Sequence, residues 1–425
     1  MGPTVVESCF GSEFLGADLD LESKLADSPF SVRWLLSNLR AHDAEFVEAA
    51  ETRKIVKIAA VDVSEGKGFV SKVYNVTIDF QDESSYAVIL KVPGVDSMAD
   101  ALKNSGVDEN VSPIKAEQIS KIHNRECAFY SSFACGIPLP KIYKIQEMVP
   151  GVKPGAILME NLMGEGVSSQ LGTSANLQQL LEIARHLAHL HHFSLMLPKE
   201  EWTGKYEADM FDSFIRVDFL RHYFEKVQEL KPGMFDDGIR EFGKYRDQLS
   251  FCRYSICDVY KDIGLPPVLN HGDFWNNNIL WKKNSDGSVS NEILAILDWQ
   301  GMHEGCMTFD LAKFMAICVD GDVRREHEGR VLEHYYDTLA GLLKKDGQRI
   351  DFTLDQIKRA YRANFVFNSV IAMVIGPFLL LAKEWTEEER PVKEAELEKF
   401  FLRAKFAVED GLKCLEELPK EKLID

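Results

Sequence analysis

The sequence lacks the marks of several protein classes at once. Its opening, MGPTVVESCFGSEF, carries acidic residues and no long apolar core, so it does not read as a secretory signal peptide. Val6 stands where the myristoylation pattern wants Ser or Thr. Eight cysteines, at 9, 127, 135, 252, 257, 306, 318 and 414, form no CxxC pair. In a chain of 425 residues they read as reduced thiols of a cytoplasmic protein. There is no Walker A sequence, no HExxH and no GxSxG, which removes three common catalytic signatures. Basic residues are in deficit: 49 Lys and Arg face 67 Asp and Glu, a net charge of -18. That field repels phosphate backbones and argues against nucleic acid as a partner. Long apolar runs are also scarce. Phe365 to Ala382 is uncharged over 18 residues, the lower edge of a membrane span. Asn368, Ser369, Gly376 and Pro377 interrupt it, so the expectation is a buried helix and no membrane span. No internal repeat or low-complexity tract is present.

What the chain does have changes character near residue 163. VSKVYNVTIDF (70–80) and YAVILKV (86–92) are strand-like runs joined by the turn QDESS, an antiparallel hairpin. Residues 114–135 follow a helical period, and ILMENL (157–162) reads as a strand entering a connector. Beyond it the periodicity is helical over 177–196, 209–230, 238–262, 309–319, 327–345, 354–383 and 393–416. One β-rich interruption, 278–299, carries an Asp286-Gly287 hairpin signal. The expected fold class is α+β and two-lobed. A leader (1–55) with a helix over 31–50 precedes a small antiparallel β-rich N-lobe (56–162) and a large, mostly helical C-lobe (163–425).

The chemistry is concentrated in LNHGDFWNNNILW (269–281) and AILDWQ (295–300). Phosphoryl transfer asks a protein for a carboxylate that accepts a hydroxyl proton, for metal-holding oxygens and for charge neutralisation. Mg²⁺ takes hard oxygen ligands. His271, Asp273 and Asn278 fill the pattern H-x-D-x-x-x-x-N, and the hairpin returns the chain so that Asp298 ends a strand near Asn278. A turn rich in Asn and Asp is the simpler alternative. Upstream, Lys91 sits inside the apolar strand AVILKV, where a lysine is costly without a partner. It is either a phosphate-contacting lysine paired with a helix glutamate or an edge lysine that discourages aggregation. SEGKGFVSKVY (64–74) offers Gly66, Gly68 and Ser71 as a phosphate loop or as a plain hairpin turn.

These motifs resemble the catalytic loop and metal strand of the aminoglycoside phosphotransferase and choline kinase superfamily. HGDFWNNNILW with ILDWQ is similar to its CHK-kinase-like, or ecdysteroid-kinase-like, family, and the resemblance runs from about residue 60 to 415. It implies a protein-kinase-like fold and an ATP- and Mg²⁺-dependent enzyme. The acceptor would be a small-molecule alcohol, such as a steroid alcohol or a hydroxylated or glycosylated xenobiotic. It implies Asp273 as catalytic base, Asn278 and Asp298 as Mg²⁺ ligands, and His271 as an organiser of the loop. Lys91 would meet the nucleotide phosphates with Glu126 of HNRECAFY as partner, although Glu117 lies on the same helix. Gly66, Gly68 and Ser71 would cradle the phosphates. Backbone at Glu160, Asn161 and Leu162 would hold adenine, unless ILMENL is only a strand and linker. Asp310 of FDLAKF matches an Asp-Leu-Ala that braces the loop, or it is a helix N-cap.

Other features have plainer readings. His186, His189, His191 and His192 share one helix without acidic or Cys partners at metal spacing, so they read as packing residues. Trp275 and Trp299 either shape an acceptor pocket or fill core. Asp298 is followed by Trp-Gln rather than Phe-Gly, and no Ala-Pro-Glu follows, which argues against a protein kinase. A choline or ethanolamine kinase would carry Asn where Gly272 stands. A silent nucleotide-binding pseudokinase is the non-enzyme rival, yet the base, lysine and both metal positions are all present.

Overall fold

Ser31 starts the first helix, α1 (Val32–His42), by accepting from the Trp34 amide. Asp43 both ends α1 and caps α2 (Ala44–Thr52), its side chain accepting from Phe46 N. The single helix expected within 31–50 is therefore two. The structure, a computed structural model, describes residues 14–64, 70–94, 115–133, 136–170, 172–208, 219–381 and 385–425. Strands β1 (Ile55–Asp62), β2 (Ser71–Phe80) and β3 (Ser85–Pro93) follow, then α3 (Ala116–Ser132), β4 (Ile142–Gln146) and β5 (Ala156–Glu160). They form one antiparallel sheet in the order β1-β2-β3-β5-β4.

Alternation along β2 and β3 gives the sheet two faces. Tyr74, Val76, Ile78, Phe80, Val88 and Leu90 enter one core together with Leu35, Leu36, Leu39, Phe46 and Ala50 of α1 and α2. The residues ahead of β1 thus complete the sheet's core. On the opposite face, Ile157 and Met159 of β5 pack with Cys127 of α3. Asp43 ties the first helices to the sheet, because its other oxygen accepts from Tyr86 Oη at 2.5 Å. Asp43→Ala removes a helix cap and leaves that hydroxyl with its long contact to Tyr143 Oη at 3.4 Å. We expect a loss of about 2 kcal/mol in urea denaturation; a loss below ~0.5 kcal/mol, the range of ordinary surface changes, would show that this tie is dispensable.

These elements form one compact unit, and the rest of the described elements form a second. In the second unit β6 (Gly166–Val167) leads to α4 (Leu177–Met196) and the short α5 (Lys199–Trp202). Then come α6 (Phe219–Leu230), α7 (Asp236–Phe242), α8 (Leu249–Arg253) and α9 (Val259–Ile263). The expected continuous helix over 238–262 is broken. Gly243 closes α7, and residues Tyr254–Asp258 adopt a π-helical turn. Such a turn frees backbone carbonyls, and buried Asn364 donates to Ser255 O at 2.7 Å and to Ile256 O at 3.3 Å.

Strands β7 (Val268–Asn270), β8 (Ile279–Lys283), β9 (Val289–Ile296) and β10 (His303–Gly305) carry the motif region. The chain ends in α10 (Phe309–Ile317), α11 (Gly321–Lys345), α12 (Leu354–Leu381) and α13 (Arg390–Glu417). Residues 365–381 of the apolar run lie in α12, where Phe365, Val366, Val370 and Met373 are buried, and Ala382 lies outside the described residues. Among the described residues no helix is long and apolar enough to cross a membrane.

Candidate active site

Two antiparallel pairings bring the motif residues together. β7 pairs with β10, and β8 pairs with β9. The loop between β7 and β8 runs His271-Gly272-Asp273 and then makes a 3₁₀ turn at Asn276–Asn278. Gly272 has φ +84°, and a Cβ there would lie 2.0 Å from Gly301 O. Glycine is therefore required at this point, which explains its place between the histidine and the aspartate.

His271 stitches the two arms of the motif. Its Nε2 lies 2.8 Å from Leu297 O, so Nε2 carries the proton, and Nδ1 accepts from Asp273 N at 3.2 Å. Burial pushes the imidazole below its ordinary value, in keeping with a neutral ring. Trp299 packs against it at 4.6 Å between ring centroids and donates Nε1–H to Ile296 O. Trp299 is thus core, whereas Trp275 is half-buried.

Asp310 lies in the first turn of α10, but its side chain does not cap its own helix. Its oxygens accept from His271 N at 2.6 Å and Gly272 N at 2.9 Å. That is the brace geometry. Burial raises its carboxyl above the ordinary range, opposed by His271 and these backbone donors.

Asp273 is held from two sides. Lys313 Nζ reaches Oδ1 at 2.6 Å, and Asn278 Nδ2 reaches Oδ2 at 3.1 Å and the Asp273 carbonyl at 2.8 Å. Burial alone would raise this carboxyl; Lys313, with smaller help from its other neighbours, Asn278 among them, holds the group below the usual carboxylate range. Its side chain remains 32 % exposed against 10 % for Lys313. Sequence reasoning missed Lys313. Its one available signal was position, three residues after Asp310 on the same helix face.

Asn278 spends its amide hydrogens on Asp273, which leaves Oδ1 as the atom it can offer a metal. Leu297 N donates to Asn278 O at 2.8 Å, so Asp298 follows directly after the strand partner of Asn278. Asp298 sits at φ +65°, uncommon for a residue with a side chain and kept only where the surrounding structure over-determines the backbone. An amide oxygen and carboxylates are hard donors, the set Mg²⁺ prefers.

In the first unit Lys91 is on β3, between β2 and β5, so it is a central-strand residue and the edge-lysine alternative falls. It faces α3, where Glu126 Oε2 lies 2.6 Å from Nζ, with side-chain exposures of 9 % and 1 %. Glu117 is exposed. Ser71 opens β2 and is buried opposite Pro93; Gly66 and Gly68 lie outside the described residues. Glu160 is tied to Lys141 through its amide and its carboxylate. Asn161 donates to Asn75 Oδ1 and accepts from Met163 N, and Leu162 is buried. Of the α4 histidines, His191 pairs with Tyr335 Oη, His192 with Asp346 and His186 with Glu182. Among the described residues no three His, Cys, Asp or Glu side chains form a metal cluster.

The sequence profile described as "DUF1679: Uncharacterized oxidoreductase dhs-27" matches residues 47–415. The chain belongs to the DUF1679 family. This DUF1679 chain is 30% identical over 333 residues to "Uncharacterized oxidoreductase dhs-27" of Caenorhabditis elegans; the match covers 76% of the chain and 40% of that relative, so it spans well under half of that protein's length. It is 24% identical over 345 residues to "Uncharacterized kinase-like protein D1044.1" of the same organism, covering 76% of the chain and 84% of the relative. Among solved structures, the ethanolamine kinase of Plasmodium vivax aligns at 12% identity and TM-score 0.40, covering 92% of this chain and 89% of that one. Spectinomycin phosphotransferase with ADP aligns at 12% identity and TM-score 0.41, covering 90% and 100%.

Proposed function

We propose that this DUF1679 chain transfers the terminal phosphoryl group of ATP to a hydroxyl of a small molecule. The observation that carries the reading is the Asp273 carboxylate, on a partly exposed side chain yet held at both oxygens. Asp273 orients the acceptor hydroxyl and takes its proton at Oδ2. The acceptor oxygen then forms its bond to the phosphorus as the bond to the ADP oxygen breaks. Asn278 and Asp298 would hold Mg²⁺, which neutralises phosphate charge when bound. Lys91, ion-paired with Glu126, would contact nucleotide phosphates. Asp310 and His271 keep the loop in shape.

The kinase-like name of one relative agrees with this reading. The word oxidoreductase attaches to a protein of which this chain matches 40%. Every pairing between the named strands is antiparallel, whereas dinucleotide-binding sheets of the doubly wound type are parallel. Hydride transfer by such a domain therefore finds no support in the described residues.

The test is incubation with γ-labelled ATP, Mg²⁺ and a metabolite extract, with products separated by mass. We expect label in a small molecule, and none once EDTA removes the metal. Label in choline or ethanolamine would place the chain with the choline-type kinases. Mg²⁺-dependent ATP binding with no labelled metabolite would replace catalysis with a silent nucleotide-binding role.

A further inference from the structure

We infer that Lys313 is a positioning residue of the transfer step, locking the Asp273 carboxylate so that Oδ2 faces the acceptor hydroxyl. The inference rests on the phosphotransferase reading and goes beyond it to a residue outside the H-x-D-x-x-x-x-N motif. A carboxylate on a short side chain turns easily about its last torsion, whose preferences are broad and two-fold. Two bonds remove that freedom here: Lys313 Nζ on Oδ1 at 2.6 Å and Asn278 Nδ2 on Oδ2 at 3.1 Å. Lys313 also donates to Gly272 O at 3.2 Å.

Asp310 and Lys313 project from one turn of α10 onto three successive loop residues. Asp310 holds the amides of His271 and Gly272, while Lys313 holds the Gly272 carbonyl and the Asp273 side chain. Backbone and base are thus indexed to the same rigid helix. Among the described residues, Lys313 is the cation in ion-pair contact with Asp273. A lysine present only to fill core would not need its ammonium on the one carboxylate oxygen that Asn278 leaves open.

The experiment measures Mg²⁺-dependent hydrolysis of ATP into water, binding of a fluorescent ATP analogue and thermal unfolding. It uses the full chain carrying K313M, K313R, D273N and the pair D273N/K313M. We expect K313M to bind the analogue within roughly threefold of wild type and to lose turnover on the order of 10²-fold, the scale of a misplaced catalytic group. K313R should recover most of that loss. In the D273N background K313M should lower turnover no further, because Lys313 acts through Asp273. If K313M does not fold, K313Q, which keeps a donor without the charge, takes its place in the same comparison.

Wild-type turnover retained in both K313M and K313R overturns the inference alone. So does an equal proportional loss with and without Asp273, which marks a merely structural lysine. A wild-type chain that neither binds nor hydrolyses ATP with Mg²⁺ overturns the phosphotransferase reading, and this inference with it.

Discussion

Asp273→Asn should lower phosphoryl transfer on the order of 10²- to 10⁴-fold, the range supplied by a positioned general base. The amide is nearly isosteric and can still accept from Lys313 through its oxygen. It cannot take a proton from an alcohol at neutral pH. Nucleotide affinity should change little, because in the proposed reaction Asp273 meets the acceptor rather than the nucleotide. The loss should therefore appear in kcat and leave KM for Mg·ATP close to wild type. The variant also leaves the Lys313 ammonium without its charge partner, so some loss of thermal stability is expected alongside. Measuring kcat, KM and the melting midpoint together separates the two effects. A variant within tenfold of wild-type kcat would remove Asp273 from the base role.

Lys91→Met should be costly in a different way. Glu126 is then left with its buried carboxylate facing a thioether, and breaking a buried pair by removing one partner costs about 3–5 kcal/mol. Denaturant unfolding should show that loss, with nucleotide affinity falling at least roughly tenfold, worth about 1.4 kcal/mol. Lys91→Met combined with Glu126→Leu replaces the pair by apolar side chains and should regain most of the stability. It should not regain nucleotide binding. Normal binding in the stable double variant would show that the pair is structural only.

The parts of the site dictated by local chemistry were legible in the sequence. His271, Asp273 and Asn278 are close along the chain, and the turn at Asp286-Gly287 returns Asp298 to them through strand pairing. Lys91 was legible as an anomaly, a charge within an apolar run, but its status depended on strand order, which alternation cannot give. Only the neighbours β2 and β5 make it central. Lys313 was illegible because its partner is 40 residues away and its own helix is buried on nearly every side. The break in 238–262 was equally hidden: the π-helical turn is sustained by Asn364, more than a hundred residues downstream. Asp43, by contrast, is a strong N-cap residue type. Reading it as a boundary would have split the first helix correctly.

The shared core of α1, α2 and the sheet has a consequence for how the chain is made. Synthesis proceeds from the N-terminus, so Leu35, Leu36, Leu39 and Phe46 leave the ribosome before the strands that cover them. At about 5–20 residues per second, completing β3 after α2 takes roughly 2–8 s. For that interval the apolar face of the helix pair has no sheet to rest on, which marks these residues as a point where the nascent chain would engage a chaperone.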